Sequence, residues 1–129
     1  MPFQTELARR LRISYPIIQA PMAGGGDTPQ LVAAVSEAGG MGSVGAAYLA
    51  PEQIDAVAKD VRQRTSRPFA INLFAPVAPA PSSIRSEVAL QRIAPFFAEI
   101  GIEPPLFPLP SPPDLAEQVR AALDWEQLF

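Results

Sequence analysis

Apolar positions along the first 75 residues alternate between short solid runs and helical stripes. "YPIIQAPM" (Tyr15 to Met22) is an apolar run between turn signals and predicts a buried strand. "AGGGD" breaks it. Thr28 then offers an N-cap and Pro29 suits the first helical position. Leu31, Val32, Val35 and Ala38 form a helical stripe that Gly39 and Gly40 end. "MGSVGAA" (Met41 to Ala47) is the next candidate strand. Pro51 marks another helix start. Ile54, Val57, Ala58 and Val61 give that helix a dry face, and Asp55, Lys59, Asp60 and Arg62 a wet one. Phe69 to Phe74 is apolar except for Asn72, which predicts a strand covered on both faces. The order β-α-β-α-β with short crossovers implies an α/β fold built on a parallel sheet.

Beyond Ala75 the pattern loosens. "APVAPAPSS" is a Pro-rich connection, and Ile84 to Ala94 predicts a helix that Pro95 stops or kinks. "EPPLFPLPSPP" holds six prolines in eleven residues and reads as extended polyproline. It contains P-x-x-P but no adjacent basic residue, so a spacer is the better reading than an SH3 ligand. Ser111 would cap a last helix with Asp114 as its capping-box partner, and Leu115, Val119, Ala122 and Leu123 would form its apolar stripe.

Gly40, Gly42 and Gly45 fit G-x-G-x-x-G. A dinucleotide loop needs a strand before the glycines and a helix after them. Here a helix precedes and a strand follows, which favours a helix C-cap running into a strand of small residues. Such a strand lets a neighbour or a ligand approach its backbone. The glycines of "MAGGG" offer free amides to a ligand or simply make a flexible turn. Asn72 needs hydrogen-bond partners, which nearby backbone would supply; alternatively it sits at the end of a parallel strand, where α/β folds bind ligands.

Charge and composition narrow the chemistry. The 129 residues suffice for one small domain, and a net charge of −3 gives no footprint for nucleic acid or an anionic membrane. With no Cys and no His, disulfides, thiolate chemistry and Cys/His metal sites are excluded. Acid–base work would fall to Asp, Glu, Tyr or the single lysine, Lys59. No apolar run is long enough to span a membrane, and the N-terminus lacks a signal-peptide core. A cytoplasmic location is the default expectation.

"YPIIQAPMAGG", "TPQLVAAVSEAGGMGSVGAAYLAPEQI" and "RPFAINLFAP", taken together and in this order, resemble the N-terminal part of the nitronate monooxygenase family, formerly called 2-nitropropane dioxygenases. The likeness is strong from about Ile13 to Ala75 and looser beyond. It implies a (β/α)8 TIM barrel carrying non-covalent FMN at the C-terminal ends of its strands. It implies oxidation of alkyl nitronates, such as propionate 3-nitronate, with O2. It also implies that Ala20, Pro21, Met22, Ala23 and Gly24 lie beside the flavin ring and that Asn72 hydrogen-bonds it, which turns the reading of Asn72 toward function. The catalytic His of such proteins lies in a later Gly-rich segment, so no catalytic residue is assigned here.

A (β/α)8 barrel takes about 250 residues. The chain is therefore expected to supply the first three to four βα units, as the N-terminal part of one FMN-binding domain with a Pro-rich insertion at about 75–113. Alone it is expected to be inactive, to bind FMN weakly or not at all, and to be marginally stable. The alternatives are a flavin-dependent enoyl-acyl-carrier-protein reductase, whose N-terminus is similar, and a non-enzymatic binding module complete at 129 residues. Neither the oligomeric state nor the true substrate follows from the sequence.

Overall fold

The computed structural model describes residues 5–75, 86–104 and 113–125. It separates into two compact units, one of residues 1–75 and 113–129 and the other of residues 76–112.

In the first unit the elements run α1 (Glu6–Leu11), α2 (Pro29–Glu37), β1 (Gly42–Gly45), α3 (Pro51–Arg64), β2 (Phe69–Asn72) and α5 (Leu115–Leu123). β1 and β2 are parallel, with Gly42 opposite Phe69 and Gly45 opposite Asn72. Just before β1, Met41 makes an isolated parallel bridge with Ile18 on the strand's other edge. Fold class and strand direction agree with the sequence pattern. The run Tyr15 to Met22, however, is neither a full strand nor buried: Ile17 is 62% exposed. Its apolar residues pair with the sheet at one isolated bridge only.

The second helix forms as its sequence dictates. Thr28 Oγ1 accepts the Leu31 N–H at 3.3 Å, and Pro29 opens the first turn. At the other end Gly39 takes φ +93°, the Gly39 N–H donates to Ser36 O and the Gly40 N–H to Val35 O, which is a Schellman cap. The glycine pattern is thus a helix stop. Beyond it, Gly42 serves close packing: a Cβ there would fall 2.1 Å from the Val32 carbonyl oxygen. α2 lies directly on β1 because that side chain is missing.

α3 has no side-chain N-cap at Ala50, and the Gln53 side chain instead accepts the Ala50 N–H at 2.8 Å. Ile54, Ala58 and Val61 are buried as the stripe predicts. Arg62 departs from the wet face. It is half-buried, with its guanidinium 4.7 Å from the centre of the Phe69 ring and Nη1 donating to Arg67 O at 3.0 Å. Burial lowers its pKa from the usual arginine value, but the cation persists.

The core lies between the sheet and the helices. Val32, Val44, Ala46, Ile54, Val61 and Ala121 are buried together, with Phe69, Ile71 and Leu73 packed against them. A smaller cluster of Ala8, Ile13 and Met41 closes on Ala70. α1, which the hydrophobic pattern does not announce, belongs to it. Thr5 Oγ1 caps α1, and Arg12 ends it in the left-handed region at φ 55°.

β2 is half-buried along its length rather than covered on both faces. α5 starts one turn later than the sequence suggests. Its N-cap is Asp114, which accepts the Glu117 N–H at 3.1 Å; Ser111 falls outside the described residues. Its inward face also differs, since Gln118 and Ala121 are buried while Val119 and Leu123 are 37% and 48% exposed.

In the second unit α4 (Ser86–Glu99) runs through Pro95 instead of stopping there. Gly101 at φ +69° ends it, with Ile102 N–H on Phe97 O. The Pro-rich segments at 76–85 and 105–112 fall outside the described residues.

Candidate functional site

Two parallel strands that end side by side leave their last residues, Gly45 and Asn72, facing one end of the sheet. In α/β folds that end is where ligands bind. The Ala46 N–H donates to Asn72 O at 2.9 Å, which fixes the Asn72 backbone. Its side-chain amide makes no hydrogen bond among the described residues. Satisfaction by nearby backbone, the plainer expectation for this residue, is not what the structure shows.

The segment 19–27 runs along the other edge of β1 and is held there by side chains. The Gln19 N–H bonds Met41 O at 2.9 Å, the last backbone bond on this edge. The Gln19 side chain then continues the ladder: Oε1 accepts the Ser43 N–H at 3.1 Å and Nε2 donates to Ser43 O at 3.1 Å. Two residues on, the Asp27 carboxylate takes over. Its Oδ2 accepts the Gly45 N–H and, at 3.0 Å, the Met22 N–H. An edge that would otherwise expose unpaired amides is closed by one amide and one carboxylate.

Gly45 allows this closure. A Cβ at Gly45 would lie 2.5 Å from the Ala23 nitrogen. The Ala23 backbone therefore presses on Gly45, and Asn72 stands opposite Gly45 on the other side. Of the residues singled out in the sequence, Ala23 and Asn72 thus flank one glycine. Met22 is tied to the same point through Asp27. Ala20, Pro21 and Gly24 are exposed along the loop. Gly24 and Gly25 take φ +101° and +106°, and nothing lies within 4 Å of where their Cβ atoms would be. Their backbone is open to approach.

Gln19 and Asp27 are the members that sequence reasoning missed. The signal for Asp27 was its position, an acidic residue beside a glycine loop rich in free amides. Among the described residues no group of three or more His, Cys, Asp or Glu is placed to hold a metal ion. No described helix is long and apolar enough to cross a membrane.

The family model for nitronate monooxygenase matches residues 5–102. The chain belongs to the nitronate monooxygenase family. Its relatives include a nitronate monooxygenase of Pseudomonas aeruginosa, 45% identical over 98 residues that make up 76% of this chain and 28% of the relative. A probable nitronate monooxygenase of Staphylococcus aureus is 39% identical over 103 residues, 80% of this chain and 29% of the relative. Among solved structures, nitroalkane oxidase from Streptomyces ansochromogenes superposes with a TM-score of 0.71 at 35% identity, over 94% of this chain and 32% of that one. FabK from Thermotoga maritima gives a TM-score of 0.53 at 38% identity, over 59% of this chain and 24% of that one. This nitronate monooxygenase family member therefore spans under a third of the length of these relatives.

Proposed function

We propose that this chain serves the oxidation of alkyl nitronates, propionate 3-nitronate among them, with O2 and FMN, and that its Ala20–Gly24 segment and Asn72 form one wall of the FMN site. The proposed setting is a (β/α)8 barrel in which residues 1–129 are the N-terminal part and residues at about 75–113 an insertion. The observation that carries the reading is the row Ala23–Gly45–Asn72, with an amide side chain at its end that no described residue occupies.

The residues fit the cofactor. A flavin ring needs a flat wall and a few hydrogen-bonding groups at its polar edge. Met22 and Ala23 supply wall. Gly24 and Gly25 keep the loop free of side-chain bulk. Asn72 has both a donor and an acceptor and matches either kind of atom on the ring edge. Bound FMN would supply the electron acceptor for the nitronate and the centre that reacts with O2.

This chain's own residues hold rather than react. Asp27 and Gln19 fix the loop against β1 before any ligand arrives, so little ordering is left to be done on binding. Asn72 orients the ring through its amide. A nitronate is already the conjugate base of a nitroalkane, so its oxidation asks no proton abstraction of the residues present.

A chimera tests the reading. Residues 5–102 of this chain replace the aligned segment of the Pseudomonas aeruginosa relative. The chimera should purify with bound FMN and consume O2 on addition of propionate 3-nitronate. A folded chimera without flavin would refute the proposal.

A further inference from the structure

A cleft of about 610 Å3 opens on the helix side of β1, between the glycine loop and the face of α3 that carries Ala56 and Val57. Val44, which lines it, points into the helix-side core, and Asn72 does not line it. It is thus distinct from the Asn72 end of the proposed flavin wall, although Gly24, Gly45 and Asp27 border both.

Its chemistry is specific. The walls are mainly apolar, and no Lys or Arg is among the lining residues. Asp27 is 8% exposed, and its Oδ2 is taken by the Gly45 and Met22 amides. Oδ1 has no hydrogen-bond partner among the described residues and is not sealed from solvent. Asp27 lines the cleft. Asp60 on the opposite wall is ion-paired with Arg64 at 3.0 Å. Tyr48 stands at the cleft with its ring edge-on to Phe74, the centroids 6.1 Å apart.

An anion here would meet the Asp27 carboxylate and an Asp60 already paired with Arg64, with no Lys or Arg in the lining. A neutral apolar molecule would fill the walls and take water away from Asp27 Oδ1 without replacing it, which is costly. An apolar molecule bearing a primary ammonium matches both, and an aromatic ring suits the volume and the Tyr48 side. We infer that this cleft is a binding site for aryl-alkyl primary amines, with Asp27 Oδ1 receiving the ammonium group.

The test needs no flavin. Phenethylammonium, 3-phenylpropionate and 2-phenylethanol are titrated into the full chain, with the Met22 and Gly45 amide resonances as reporters. Phenethylammonium should bind saturably and about tenfold more tightly than either analogue, as expected for a charge-assisted hydrogen bond. Asp27→Asn should erase that preference, and Ala56→Trp, an exposed position that fills the cleft, should abolish binding. No saturable binding, equal affinity for the anion, or a preference unchanged in Asp27→Asn would overturn the inference. Should Asp27→Asn not fold, full affinity retained in Ala56→Trp would overturn it, and loss of binding in that variant would support it.

Discussion

The carboxylate of Asp27 accepts the backbone N–H of Gly45, eighteen residues away in the chain. The same oxygen accepts the Met22 N–H, so one buried side chain ties the turn after the first chain segment to the end of β1. The position of the loop that carries Met22, Ala23 and Gly24 follows from this bond and from the missing side chain at Gly45.

Asp27→Ala should leave both amides without their acceptor. Hydrogen bonds to a charged group contribute about 1.5–3 kcal/mol each, so losing both should cost about 3–6 kcal/mol. Asp27→Asn keeps a neutral acceptor and should cost about half as much. Urea unfolding checks both, and faster hydrogen exchange at Gly45 in Asp27→Ala would locate the effect.

Two glycine substitutions should differ sharply. Gly42→Ala places a Cβ 2.1 Å from the Val32 carbonyl oxygen, a backbone atom that cannot step aside. α2 would have to lift from β1, at about 3 kcal/mol or more. Gly25→Ala meets open space and pays only for its φ of +106°, about 1–2 kcal/mol. Thermal melts of the two variants should fall in that order; equal melting points would contradict the packing account.

Gln118 anchors α5. Its Nε2 donates to Leu49 O at 2.8 Å and to Ala46 O at 3.2 Å. Gln118→Leu should leave buried carbonyls unsatisfied and cost about 2 kcal/mol. Exchange of the α5 amides should accelerate with it. Val119→Ala, on the exposed side, should change stability by no more than about 0.5 kcal/mol.

The local grammar of the fold was readable in the sequence. Thr28, Pro29 and Gly39 each act within a few residues of their position, and the stripe of α3 follows from burial at a fixed period. What was hidden depends on distant partners. Gln19 bonds Ser43 and Gln118 bonds Leu49, across 24 and 69 residues, and no periodicity encodes such pairs. The stripe of α5 misleads for the same reason: that helix covers free carbonyls after β1, so a polar Gln118 turns inward. Tyr15 to Met22 misleads because its apolar residues pair with the sheet at a single isolated bridge, leaving most of the run exposed. Asn72 was conspicuous as one amide in an apolar run. Its freedom from backbone partners could be seen only once Gly45 and Ala23 stood beside it.

Asn72 and the loop set by Gly45 are proposed to form one wall of the flavin site. The most direct measurement is the FMN content of the chimera with residues 5–102 of this chain, compared with its Asn72→Ala and Gly45→Val forms. Bound flavin is expected in the first, affinity about tenfold weaker in Asn72→Ala from the lost hydrogen bonds, and little or none in Gly45→Val, whose side chain would displace Ala23. Equal flavin content in all three, each folded, would contradict the proposal.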